Sequence, residues 1–535
     1  MRWPSSKAPE VIVNNSQGRY KSPYLPLLLL PLPALLLLML GSAARAEPEA
    51  GTSVVVIDVD VYTHHAAVLP GGPERAVVWL PETNKKGELQ GRVQVVGLDE
   101  QLQRRWIDLT DAPFEDGPPA VLGSGGDSFY ALWVDAKGKK SCVDGWKLEH
   151  GDRRRACVKS KWSVGGPLSL AVVDGKPWVC GQEGANLGCK LFNVAAGEAF
   201  DQVLLKKSAK NLVDVDQMDA HGRLDSVHRG NPFGDEEADL TMLSFGRAGD
   251  RGEPIPLKGS EGRVLLSAHR APQSAMAEVD RDLVVGMYAE GGSEVFGIYT
   301  GRLGKGQLRY LPFERFPTFA RIMESLLAEN SKERYVFLPP RFVPMGDDTL
   351  VVVEAARPTK HAVAYAGYPS DSPLAGKAVG PVELLPNDIR AWAQILDFPL
   401  DQGPAVTNAF LIAVSDEGRP LWWKDIAVRA PPAPTPTPYA ALFTHEQGGT
   451  LLSGAPSGIE SRQIDKKRVT KGGNLDTELT RAEHWYNDVF IGWRYEVQAA
   501  RDGSLEGTGK VYLRKVKART FVAAEEKPLD DEVVR

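Results

Sequence analysis

Cysteine is scarce in this chain: four in 535 residues, all between positions 142 and 189. None forms the C-x-x-C of a thioredoxin-like redox centre. Histidines number nine, and no H-E-x-x-H zinc-peptidase helix occurs among them. GRLGKG (301–306) holds Gly and Lys but lacks the G-x4-G-K-[ST] spacing of a phosphate loop. GSGGDS (123–128) and SGAPSG (453–458) are rich in Ser and Gly, yet neither is the G-x-S-x-G elbow of a serine hydrolase, and both read as turns. An excess of basic charge is also missing, since 63 Lys and Arg face 69 Asp and Glu. Broad nucleic-acid binding needs a basic face and is therefore not expected.

Long apolar runs are limited to one, LPLLLLPLPALLLLML (Leu25–Leu40). Arg2, Lys7, Arg19 and Lys21 precede it, and GSAARA follows, with Ala44 and Ala46 spaced as an A-x-A cleavage site. These three features describe a secretory signal peptide over 1–46. Sixteen residues with three prolines are short for a bilayer, which takes about 20. An uncleaved anchor is the alternative. The expected protein is periplasmic or extracellular, with no stable membrane span after cleavage. Removing five basic and one acidic side chain with the leader takes the formal charge from −6 to −10.

In an oxidising compartment paired cysteines become disulfides. Chain order favours Cys142–Cys157 and Cys180–Cys189, each pair bracketing a Gly-containing turn. The rival is a four-cysteine zinc site. Structural zinc uses close C-x2–4-C pairs, and the gaps here are fourteen and eight residues.

What the chain does have is short β-rich runs. They include VVVIDVDVY (54–62), VQVVGL (93–98), FYALWVD (129–135), LSLAVVDG (168–175) and ADLTMLSF (238–245). Further runs are DRDLVVGMY (280–288), TLVVVEAA (349–356), NAFLIAVSDEG (408–418), YAALFTHEQGG (439–449) and DVFIGWRYEV (488–497). Their length and β-branched and aromatic content read as strands. Many pass into polar Gly turns, as in VDG (173–175) and VSDEG (414–418). Glycine supplies the positive φ of tight hairpins. Repeated hairpins at spacings near 40 and 70 residues predict an all-β chain. The expected fold is a β-propeller of about seven blades, range six to eight, with short helical insertions. The alternative is a row of β-sandwiches. In architecture the chain resembles secreted bacterial propeller-like proteins.

The expected domains are a propeller over 47–430, a Pro-rich linker or inter-blade loop PPAPTPTP (431–438), a C-terminal β segment over 439–524 and a disordered acidic tail over 525–535. The segment 439–524 forms either the last blades or a small separate domain. Two insertions read as helices. In TFARIMESLLAEN, Phe319, Ile322, Met323, Leu326 and Leu327 make one apolar face after an N-cap at Thr318. In NDIRAWAQILDF, Ile389, Trp392, Ala393 and Leu396 follow Asp388 with a similar period.

LVDVDQMDAHGRLDSV (212–227) resembles the calcium loop of FG-GAP propeller repeats, in which spaced aspartates around a glycine ligate the ion. With Gly222 and Asp225 matched to the loop's glycine and later aspartate, Asp219 takes the third position, and Gln217 and His221 the first and fifth. Asp214 and Asp216 join if the loop carries an insertion. The resemblance implies a calcium site of Asp214, Asp216, Asp219 and Asp225; the alternative is a polar hairpin turn. No other cofactor is expected.

His64 and His65 are adjacent, so a strand would point them to opposite faces rather than to one ion. Asp58 and Asp60 share a strand face, either lining a channel or on a solvated edge. The tryptophans Trp133, Trp146, Trp162, Trp178, Trp422, Trp423, Trp485 and Trp493 read as packing between sheets rather than as carbohydrate platforms. The functional expectation is a non-catalytic binding or scaffold protein with an envelope or extracellular protein or glycan as partner. The alternatives are an extracytoplasmic hydrolase of a glycan or similar polymer, and a calcium-dependent adhesion module.

Overall fold

The computed structural model describes residues 54–517 apart from 64–65, 72–73, 84–88, 114–120, 126, 135–138, 163–167, 207–210, 217–218, 220, 272–281, 291–295, 321–335, 338–339, 357–405, 429–439, 446–447, 456–457, 466–467, 477, 487 and 499–507. The expected leader, His64 and His65, the 387–398 insertion, the Pro-rich segment and the acidic tail lie outside the described residues.

The strands form eight antiparallel sheets that make an eight-bladed β-propeller, within the expected range. Blades 1 to 7 span 67–111, 121–159, 168–205, 212–257, 263–312, 336–427 and 441–476. In each, the strands lie side by side in chain order, innermost first. The inner strand of blade 5 is split into Arg263–Leu265 and His269–Arg270, and that of blade 6 into Val336–Phe337 and Arg341–Met345. Blade 8 is built from both ends of the described chain. Arg481–Tyr486, Val489–Gln498 and Thr508–Lys517 supply three strands, and Val55–Val59 adds the fourth, outermost one. Ile57 lies opposite Val511 in this closing pair.

The core consists of eight apolar clusters, one for each junction between neighbouring blades. The cluster at the junction of blades 8 and 1 joins Ile57, Val59, Trp493 and Val511 to Val78 and Val96, so the ring is closed. Alternation along a strand sends successive side chains to opposite neighbours. Val351 and Val353 enter the junction with blade 5, while Leu350 and Val352 enter the junction with blade 7. A sheet covered on both faces needs apolar residues at every position, which is why these strands read as unbroken runs. Trp422 and Trp423 show the same alternation, packing on the blade 7 and blade 5 sides respectively. Trp133, Trp146, Trp162, Trp178, Trp485 and Trp493 are buried between blades.

The turns follow their residues. Val173 and Lys176 are joined by Asp174 and Gly175 at φ 49° and 69°, the left-handed pair of a two-residue hairpin. The Gly-rich stretches 123–128, 301–306 and 453–458 all fall at hairpin turns. Gly286 serves a different end: a side chain there would collide with the Ser267 carbonyl, which accepts the Tyr299 hydroxyl at 2.8 Å.

Residues 317–320 are helical, and the remainder of the expected 318–330 helix lies outside the described residues. Phe319 is buried against Phe410, on the face the sequence pattern assigns to the core. The Phe319 N–H is accepted at 2.6 Å by Asp425, from the outer strand of blade 6, so a sheet carboxylate caps this turn.

Cys142 pairs with Cys157 and Cys180 with Cys189, each across directly opposed residues of adjacent strands. The two bridges differ in access: Cys157 is exposed on the outer strand of blade 2, whereas Cys180 and Cys189 are buried between blades 3 and 4. Exchange requires a thiolate to reach a sulfur. Graded reduction with alkylation and peptide mapping is expected to open Cys142–Cys157 first. Prior opening of Cys180–Cys189 would contradict this placement.

Candidate functional site at the junction of blades 4 and 5

Ionisable side chains gather where the inner strands of blades 4 and 5 meet. Leu212–Val215 is the inner strand of blade 4, with a register irregularity between Leu212 and Asp214. Asp214 and Asp216, two positions apart, come together with His269 of blade 5. One donor atom from each lies within 4.8 Å of the other two. His269 Nδ1 is 2.8 Å from Asp216 Oδ1, and the Arg270 N–H reaches Asp216 Oδ2 at 3.3 Å.

Asp219 and Asp225 are placed otherwise. Asp219 Oδ1 accepts the N–H groups of His221 and Arg223, both at 2.9 Å, and so holds the turn that contains Gly222. Its Oδ2 is buried and accepts no hydrogen bond. Asp225 takes Arg223 Nη2 at 3.2 Å and the Ser244 hydroxyl. The Arg270 guanidinium donates to Asp282 at 3.0 Å and to Ser244 at 3.2 Å, and lies 4.0 Å from Asp225. Of the four aspartates expected to share an ion, two therefore meet at one point, and their third companion is a histidine 53 residues beyond Asp216. No local pattern around His269 announces it; the stacking of two blades creates the contact.

Burial pushes the Asp216 carboxyl above its ordinary value, and Asp214 and Asp225 push the same way against the pull of His269. On the second strand of blade 4, His228 is fully buried and hydrogen-bonded to the Ser226 hydroxyl at 2.9 Å. Burial lowers its pKa to about 4, so this imidazole stays neutral.

A second ionisable group lies on the inner strand of blade 8. Burial raises Glu483 to about 7, with Arg481 and Arg341 opposing the rise and Glu354 adding to it. Glu354, on the second strand of blade 6, is buried, accepts the Ala440 N–H at 2.8 Å and faces Arg341 at 3.6 Å. Sequence reasoning missed Glu483, because nothing local distinguishes it from the chain's many surface glutamates. Asp58 and Asp60 are exposed, at or just beyond the outermost strand of blade 8, away from the inner strands.

No protein-family model and no curated protein sequence matches the chain. Solved structures are similar in fold at low identity. A prolyl endopeptidase structure matches with 7% identity over 83% of this chain and 53% of its own, at a TM-score of 0.38. The polysaccharide lyase Uly1 matches with 8% identity over 86% of this chain and 99% of its own, at 0.36. The dihydro-heme d1 dehydrogenase NirN matches with 10% identity over 85% of this chain and 73% of its own, at 0.36. The chain spans about half the length of the first of these. At these identities the likeness concerns the fold alone.

The raised pKa of Glu483 has a defined sign. The folded state holds this proton more tightly than the unfolded chain does. Its stabilising contribution is full below the ordinary carboxyl value of 4.5 and is lost as pH rises through about 7. Ionising the group in place costs up to about 3 kcal/mol. In Glu483→Gln the fall in melting temperature between pH 5 and pH 8 should flatten, and the variant should melt above the parent at pH 8. Parallel curves for the two proteins would refute the raised pKa of Glu483.

Proposed function

We propose that the chain is an extracytoplasmic binding protein that holds another envelope or extracellular protein on the perimeter of its first three blades, without catalysing a reaction. The observation that carries this reading is apolar exposure on the outer strands. Ile107 and Leu109 of blade 1 are 41% and 47% exposed, and Phe200 and Val203 of blade 3 are 55% and 52% exposed. Between them lies the outer strand of blade 2, Arg153–Lys159, which reads RRRACVK. On that strand Arg153 and Arg155 are paired with Asp108 and Asp144, and the exposed Arg154 and Lys159 favour a partner with an acidic contact face. Exposed aromatic and aliphatic groups beside arginines are the composition of protein-binding surfaces. Cys142–Cys157 ties the outer strand of blade 2 to its neighbour, and Cys180–Cys189 joins the two middle strands of blade 3.

Two disulfides are compatible with an extracytoplasmic compartment. Among the described residues no helix is long and apolar enough to cross a membrane. The leader over 1–46 supports export on sequence grounds.

A hydrolase reading has one observation in its favour: Glu483, with its pKa near 7, sits on an inner strand. A single experiment separates the two. The oxidised protein is immobilised and exposed to solubilised envelope and spent medium of its own organism. One saturable protein should be retained, and retention should fall about ten-fold or more in Phe200→Asp/Val203→Asp, with melting curves unchanged. Equal retention by that variant would sink the perimeter reading. Breakdown of a retained glycan would favour the hydrolase.

A further inference from the structure

The perimeter does not account for the charge at the junction of blades 4 and 5. Five carboxylates, on Asp214, Asp216, Asp219, Asp225 and Asp282, belong to one network with two guanidinium groups, on Arg223 and Arg270. The side chains of Asp219, Asp225, Asp216 and His269 are 3%, 8%, 15% and 14% exposed. Carboxylates so withdrawn from water are held by cationic or hydrogen-bonding partners, and at Asp216 His269 is one of them. The Arg270 guanidinium points to Asp282 and Ser244.

We propose that Asp214, Asp216 and His269 bind a divalent first-row transition metal, of which zinc is the probe, and that the ion ties the inner strand of blade 4 to that of blade 5. The spacing suits an ion: bonds of about 2.0–2.2 Å place neighbouring donors about 3 Å apart, and Asp216 Oδ1 and His269 Nδ1 are 2.8 Å apart. The donors are already oriented. Asp214 Oδ1 accepts the Val215 N–H at 2.8 Å, and Asp216 Oδ2 accepts the Arg270 N–H. Outer hydrogen bonds of this kind fix ligand carboxylates.

The donor set also selects the metal. Calcium takes six to eight oxygen ligands, whereas here a nitrogen donor replaces oxygen and two of the four loop aspartates are engaged in a turn and an arginine pair. One imidazole with two carboxylates suits zinc and its first-row neighbours. The loop that resembles a calcium motif in sequence thus becomes, once folded against blade 5, half of a mixed nitrogen and oxygen site.

The test uses the full chain after chelator treatment, titrated calorimetrically with zinc chloride and separately with calcium chloride, alongside His269→Ala and Asp214→Asn. Zinc should bind the parent at a single equivalent and raise its melting temperature. Each variant should weaken that binding about ten-fold or more and lose the thermal shift. Should His269→Ala fail to fold, Asp214→Asn, whose side chain is half-buried, carries the comparison. Absence of zinc binding by the parent, or equal zinc affinity in Asp214→Asn, overturns the site. Calcium binding that survives His269→Ala overturns the assignment of the metal.

Discussion

Closure of the ring is the constraint on which the rest of this structure depends. Val55–Val59 crosses from the start of the described chain to pair with Thr508–Lys517 and complete blade 8. Without that strand, Ile57 and Val59 leave the junction of blades 8 and 1, and their partners Trp493, Val511 and Val78 lose apolar cover. Each such side chain is worth about 2 kcal/mol of burial. No blade can bury both its faces alone, so each supplies half of two junctions and depends on its neighbours for the other halves.

That dependence explains what the sequence showed and what it concealed. VVV (351–353), LVVG (283–286) and FLIAV (410–414) lie on middle strands with neighbours on both faces, so their apolar runs were conspicuous. The outer strands RRWIDLTD, RRRACVK and VTKGGNLD face solvent and carry the composition of loops. The central expectation of seven came from counting polar Gly turns after apolar runs, and blade 1 supplied none to that count, so seven were expected where eight are found. The disulfide pairing was legible because each bridge joins neighbouring strands through a short loop. Asp214 and Asp216 were legible as a spaced acidic pair, but His269 was not. Its proximity arises from how blade 5 stacks on blade 4, and no local pattern encodes that.

The same architecture separates apolar packing from charged and exposed surface. Apolar junctions hold the blades in place, while inner strands and perimeter are freer to carry charge. The junction of blades 4 and 5 combines both roles: Val213, Val227, Leu265 and Val284 pack within it, and the aspartate–arginine–histidine network lies alongside. On the perimeter, Phe200 and Val203 project from a strand whose neighbour carries Cys189. Binding loses less conformational entropy when the contact surface is already fixed.

The most direct test of the account is hydrogen–deuterium exchange of the peptides that contain 55–59 and 508–517. A closed ring predicts that both segments are protected and that they lose protection together, at the same denaturant concentration as the inner strands. Exchange of 55–59 at the rate of an unstructured peptide, with 508–517 still protected, would contradict it.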